Sequence, residues 1–429
     1  MQMQMQMQMQ MQMQALPPES VRLRGIPVLI EGLERRSKKG RGTTVDIASR
    51  HDATHRDREH VEQVPSGRTL NDDDDSRFDI GEAADAIEAD AHADETEVRL
   101  EQARSILSSN DSPDIPFDWS INPYRGCEHG CIYCYARPTH GWIGLSPGLD
   151  FERILIVKTN AAALFDKALR RPGWRAEPIN IGAVTDPYQP IERRFGLTRE
   201  LLRVADRFAQ PVTVITKSAS ITRDIDLLAS LASRRLASVL ITVTTLDGAL
   251  ARVLEPRASA PWRRLEAIRA LSAAGIPVGV SVGPLIPAIN DHEIEHLLQQ
   301  TALAGASSAH YTLLRLPLEV APLFEQWLAV HFPLRAARVM ARIREMRGGR
   351  RNDPTFHRRM KGEGVFADLI AQRVTLAARR HGLDRDRPAL DTSRFRVPVA
   401  LLPLVDAGGG SDQAAVGPVR AEGGQLALF

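Results

Sequence analysis

Six short apolar runs alternate with stretches whose apolar residues recur at helical spacing. This rhythm constrains the fold of the 429-residue chain more than any other feature. The runs are 120–123, 180–185, 212–216, 239–244, 278–282 and 309–314. Between them, 160–169, 198–208, 224–232, 261–274 and 291–304 carry the helical period. Asn160, Thr198 and Asp291 are good N-caps, and Gly275-Ile-Pro277 is a helix stop before a strand. Strand–helix repetition predicts an α/β fold, a parallel sheet with helices outside. Six units fit an incomplete (β/α)6 barrel, although spacing by itself does not exclude an open doubly wound sheet.

The flanks differ from this core, which is expected to span 96–316. Residues 1–95 begin with fourteen alternating Met and Gln and continue through polar, basic and acidic stretches. They carry too little apolar surface to offset chain entropy, so the region is expected to be low-complexity and largely disordered. After Leu316 the pattern turns helical, at 317–330, 334–346 and 365–381, giving a helical C-terminal extension over 317–400 and a flexible tail over 401–429. Hydrophobic content of 43% and charged content of 25% are ordinary for a globular protein. No apolar run is long enough for a membrane span, and the N-terminus lacks the pattern of a signal peptide. The expectation is a cytoplasmic protein without membrane contact.

There are three cysteines, all in Cys127-Glu-His-Gly-Cys131-Ile-Tyr-Cys134. An odd, tightly spaced set does not suit a disulfide framework. Three thiolates on one tight loop can instead bind three irons of a [4Fe–4S] cubane, with Gly126 and Gly130 allowing the loop to turn. The fourth iron then keeps an open position, which the amino and carboxylate groups of S-adenosyl-L-methionine (SAM) can occupy. The competing reading is a structural zinc loop completed by His129 or His140, but there is no second cysteine knuckle.

The cysteine spacing, with an aromatic before the last Cys, resembles the radical SAM superfamily. Ser112-Pro-Asp-Ile-Pro-Phe-Asp118, Cys134-Tyr-Ala-Arg-Pro-Thr-His140, Thr185-Asp-Pro-Tyr-Gln-Pro190, Thr216-Lys-Ser218 and Glu255-Pro-Arg257 resemble the subfamily related to spore photoproduct lyase, often called DNA-repair photolyase-like. The likeness runs from about Lys38 to Pro398, but the loop after 38–42 departs from the family pattern. The resemblance implies a radical SAM barrel, a [4Fe–4S] cluster, SAM, and a one-electron reductant such as flavodoxin or ferredoxin. It sets Tyr133 against the SAM adenine and Lys217 at the SAM carboxylate. Asp186 takes the SAM amino or ribose groups, or caps the next loop. Strand C-termini carry the site in such barrels, which adds Ser218, Thr242 and Thr244. Tyr188, on a strand-end loop, is either a core aromatic or a hydrogen-atom relay. The lyase looks to a further Cys as hydrogen-atom donor. Here every Cys is used by the cluster, so the same route is not expected.

Residues 335–361 hold ten Lys/Arg against Glu345 and Asp353. Arg350, Arg351, Arg358 and Arg359 are candidate phosphate contacts; the competing reading is a solvated face. With a net charge of only +2, nucleic-acid contact must be local. The terminal Gln425, Leu426, Leu428 and Phe429 resemble the peptide by which bacterial repair proteins bind the sliding clamp. The sequence therefore predicts a radical SAM enzyme acting on nucleic acid. The alternatives are a radical SAM modifier of RNA, protein or a small molecule, and a metal-stabilised nucleic-acid-binding module.

Overall fold

The structure, a computed structural model, describes residues 40–43, 47, 50, 96–387 and 389–398. The terminal residues Gln425, Leu426, Leu428 and Phe429, the tail over 401–429 and most of 1–95 lie outside the described residues. The strands are β1 (Glu97–Glu101), β2 (Leu107–Ser109), β3 (Trp119–Ile121), β4 (Tyr124–Arg125), β5 (Ile154–Lys158), β6 (Ile179–Ile181), β7 (Val212–Thr216), β8 (Ala237–Thr242), β9 (Val278–Leu285) and β10 (Ser308–Leu313).

The larger sheet has the order β10-β9-β8-β7-β6-β3-β2. β3, β6, β7, β8, β9 and β10 are mutually parallel, and β2 adds antiparallel to β3. Each successive parallel strand joins the same side of its predecessor. A doubly wound sheet would reverse direction at a switch point; this order is singly wound over its six parallel strands, as in (β/α) barrels. Among the described residues β10 and β2 are edges.

Apolar residues on both strand faces explain the helices around the sheet. β8 is buried along its whole length, as expected of a parallel strand covered on both sides. The core gathers Val212, Val214, Val239, Ile241, Val278 and Val280 with Leu201, Phe208, Leu228, Ile268, Leu271 and Leu298 from the intervening helices. A second cluster packs Ile132 and Tyr133 of the cysteine loop against Phe324, Trp327 and Ile343 of helices Val320–His331 and Pro333–Glu345.

The structure departs from the sequence reading in several places. β1, β5 and β4 form a separate small sheet, which the sequence did not indicate. β4 is two residues long, and β1 carries only two apolar residues, Val98 and Leu100, between charged ones. Asn160, Thr198 and Asp291 do not cap helices with their side chains. Asn160 instead exchanges hydrogen bonds with both backbone groups of Ala103, and Thr198 donates its hydroxyl to the Pro187 carbonyl. Residues 41–43, inside the stretch expected to be largely disordered, are an exception to that expectation. They are buried against the cysteine loop.

Helix Ile294–Leu303 tests the core assignment, because Leu298 is fully buried whereas Leu303 is 70% exposed. Leu298→Ala should cost about 2–5 kcal/mol through lost burial and a cavity, and Leu303→Ala less than about 0.5 kcal/mol. Denaturant unfolding of the two variants measures the contrast.

Candidate cofactor site

The cysteine loop follows β3 and β4 and turns at Gly126 (φ 77°) and Gly130 (φ 65°), conformations that favour glycine. A Cβ on Gly130 would come within 2.9 Å of a Glu152 carboxylate oxygen, and one on Gly42 within 1.7 Å of the Gly130 carbonyl. Below this loop Arg137 and Glu152, both with fully buried side chains, form an ion pair at 2.5 Å. Arg137 also donates to the carbonyls of Gly130, Cys131 and Gly148 at 3.0–3.1 Å. The Glu152 carboxylate accepts the backbone N–H groups of Gly42 and Thr43, each at 3.0 Å.

Cys127 and Cys131 are buried, and Cys134 is half-buried. Burial pushes the Cys131 thiol up to about 12. Cys127 rises through burial, then through the charges of Asp186, Cys131 and Cys134. Three soft, mutually repelling donors on one loop fit a cationic iron–sulfur cluster, which supplies the missing countercharge. Among the described residues no three His, Cys, Asp or Glu side chains close on a single metal ion; a cubane lets each thiolate reach a different iron. The histidines of the zinc alternative are engaged elsewhere. His140 Nε2 lies 3.0 Å from the Ile154 carbonyl, and His129 Nδ1 faces Asp186 at 3.3 Å.

Side chains from three strand ends converge beside this loop. Tyr133 donates its hydroxyl to Glu255, and Thr244 donates to the same carboxylate oxygen at 2.6 Å. Arg264 pairs with the other Glu255 oxygen at 2.5 Å and donates to the Thr242 carbonyl at 3.2 Å. Burial works to raise the Glu255 carboxyl, but Arg264, Lys217, Thr244 and Tyr133 outweigh it and hold it at about 2. The Lys217 ammonium lies 5.9 Å from the centre of the Tyr133 ring. Burial disfavours its charge, yet Cys131 and Glu255 more than compensate and raise its pKa.

Asp186 is surrounded by protein donors. It accepts from the Thr216 hydroxyl at 2.6 Å, from Lys217 N–H at 2.8 Å and from Tyr188 N–H at 2.9 Å, with His129 opposite. Burial would raise this carboxyl, but His129, Thr216 and the Lys217 N–H overcome it and hold it at about 2. These contacts are the loop-capping arrangement. Ser218 accepts from Ser220 N–H and caps the 3-10 turn Ala219–Asp224. Tyr188 and Ser218 border a cleft of about 140 Å³ floored by His129. The Tyr188 hydroxyl, however, donates to buried Asp224 at 3.0 Å, which matches the core-aromatic reading.

The sequence reading gave Glu255 no role and missed Arg264, Arg137 and Glu152. Each is a charged residue whose importance rests on burial with its partner, for which spacing is no guide. Within the basic segment the structure gives most of the candidate arginines carboxylate partners. Arg359 is 4% exposed and pairs with Asp114 at 2.5 Å. Arg358 pairs with Glu363, and Arg351 with Glu325 at 3.3 Å, leaving Arg350 exposed without an ion pair among the described residues. Glu152→Ala should strand Arg137 in the interior and destabilise the fold by about 3–5 kcal/mol; equilibrium unfolding measures the loss.

The profile of the radical SAM superfamily matches residues 121–301. An uncharacterised protein of Mycobacterium tuberculosis is 36% identical over 260 residues, spanning 60% of this chain and 75% of the relative. An uncharacterised protein of Methanocaldococcus jannaschii is 31% identical over 182 residues, 42% of this chain and 64% of the relative. Among solved structures, spore photoproduct lyase complexed with dinucleoside spore photoproduct aligns over 72% of this chain and 85% of its own, at 15% identity and a TM-score of 0.49. Residues 121–301 are a radical SAM domain, and enzymes of that superfamily use a [4Fe–4S] cluster and S-adenosylmethionine.

Proposed function

We propose that Cys127, Cys131 and Cys134 hold the cluster, that SAM lies between it and the ends of β7 and β8, and that the substrate is nucleic acid. The observation that carries the cofactor reading is the approach of Lys217 to the Tyr133 ring within the cysteine loop. When bound, the cluster supplies one electron that cleaves SAM to a 5′-deoxyadenosyl radical. The chain's own groups orient and shield. Lys217 offers a cation to the SAM carboxylate. Tyr133, fixed by Glu255, offers a ring face to the adenine. Thr242 and Thr244 are buried at and just beyond the end of β8. Asp186 fixes the start of the loop that carries Lys217.

The nucleic-acid reading is supported by the motif resemblance from Ser112 to Arg257 and by the arginine-rich segment 335–361. A radical SAM modifier of RNA, protein or a small molecule is the second reading. A one-electron reductant such as flavodoxin or ferredoxin completes the system, in the cytoplasm. Among the described residues no helix is long and apolar enough to cross a membrane.

Anaerobically reconstituted protein should bind about four irons per chain and release 5′-deoxyadenosine on reduction with SAM. Replacing all three cysteines by Ala should abolish both, and 5′-deoxyadenosine from that variant overturns the assignment. Lys217→Ala should keep the iron but weaken SAM binding by about tenfold, the loss of one charge-assisted contact. Turnover against damaged oligonucleotides separates the two substrate readings. The terminal Gln425, Leu426, Leu428 and Phe429 are proposed to dock on the sliding clamp. A labelled 423–429 peptide should bind the clamp, and Leu428→Ala with Phe429→Ala should abolish binding; a wild-type peptide that does not bind excludes the partner.

A further inference from the structure

Most arginines near the site have carboxylate partners. Arg137 has Glu152, Arg264 has Glu255, Arg257 has Glu128 and Arg359 has Asp114. Arg315 has none among the described residues. It stands two residues beyond β10, on the strand-end side that carries the cofactor site. Its guanidinium lies 5.8 Å from the centre of the Tyr135 ring, and Tyr135 directly follows Cys134. Tyr135 is 50% exposed, so this pair faces solvent beside the cysteine loop.

The donors of Arg315 are poorly used. Nη1 meets only the Met360 sulfur, at 3.6 Å, and Nε is buried without a hydrogen-bond partner. The neighbourhood offers no relief. Asp114 is spent on two donors of Arg359 and on the His357 N–H. Arg347, buried beneath, donates to the carbonyls of Leu313, Leu314, Arg358 and Arg359 and meets no carboxylate. Burial, then the charge of Arg315, push the Arg347 guanidinium down to about 10. The two carboxylates nearby, Asp114 and Asp353, pair with Arg359 and Arg358, and neither forms an ion pair with Arg315.

A cation held in this way costs stability unless an anion completes it. The guanidinium fork matches a phosphate or carboxylate in two-point contact. We propose that Arg315 is an anion-binding residue at the mouth of the site and holds a phosphate group of the molecule on which the radical acts. The choice of phosphate rests on the nucleic-acid reading above; the anion site itself rests on the unpaired guanidinium.

The test uses the reconstituted full chain and two probes. Inorganic phosphate, against chloride at equal ionic strength, should raise the unfolding temperature of wild type and of Arg338→Gln, which removes an exposed charge elsewhere. It should leave Arg315→Gln unmoved. A fluorescein-labelled single-stranded oligonucleotide should bind Arg315→Gln about tenfold more weakly, the loss of one charge-assisted contact. Arg315→Lys keeps the charge without the fork and should fall between. If Arg315→Gln fails to fold, Arg315→Lys carries the test, and a phosphate response equal to wild type overturns the proposal. Equal responses in wild type and Arg315→Gln, or none in either, also overturn it. If phosphate acts through Arg315 but wild type ignores the oligonucleotide, the anion site stands and the nucleic-acid reading falls.

Discussion

The buried Arg137–Glu152 pair is the interaction on which the cysteine loop depends. Removing two opposite charges from water is expensive, and their attraction repays that cost only when further hydrogen bonds satisfy the remaining donors and acceptors. Both conditions hold here. The guanidinium gathers the carbonyls of Gly130, Cys131 and Gly148, and the carboxylate takes the N–H groups of Gly42 and Thr43. Each bond fixes a backbone direction in or beside the loop between Cys127 and Cys134. An apolar pair of equal volume could match its stability, but it could not orient those carbonyls. The thiols are aimed by hydrogen bonding and not by packing alone.

The same device recurs at each strand end. Glu255 ties Tyr133 of the cysteine loop to Thr244 and Arg264. Asp186 ties the end of β7 to the loop after β6. Asn290 accepts from Ile286 N–H and donates to the Thr244 and Pro284 carbonyls, joining the ends of β8 and β9. A polar network that is mostly satisfied in a low-dielectric interior is rigid. Such rigidity keeps a cofactor pocket in one geometry without help from the ligand. It also explains the strand-end pKa pattern: Asp186 and Glu255 stay ionised despite burial because each faces fixed donors.

What the sequence made legible follows from which physics is periodic. The six parallel strands were visible as apolar runs because two-sided burial demands continuous hydrophobicity. The helices between them were visible through their 3.6-residue period. β4 was not visible because it is two residues long, whereas β5, Ile154–Lys158, is an apolar run that the reading passed over. The cysteines were legible because ligand spacing on one loop is local. Glu152 was not, since its partners Gly42 and Arg137 lie 110 and 15 residues before it in the chain. The basic segment shows the opposite error. Arg359 reads as free charge in a local window, yet Asp114, some 245 residues away, neutralises it.

The tyrosines near the site bear on how hydrogen atoms could move there. Tyr133 donates to Glu255, Tyr135 to the Ala183 carbonyl and Tyr188 to Asp224. Burial and the adjoining carboxylates raise the phenols of Tyr133 and Tyr188 well above their ordinary range. Each hydroxyl hydrogen is held by an acceptor, so using one as a relay means breaking a bond that positions its ring. The three thiols are committed to the cysteine loop, and the chain contains no other. These hydrogen bonds hold the rings in place. Tyr135 differs in one respect: its ring is half open to solvent, next to the unpaired Arg315. Beside the cysteine loop the protein thus leaves a cation that its own described groups do not pair, and a bound anion has something to gain there.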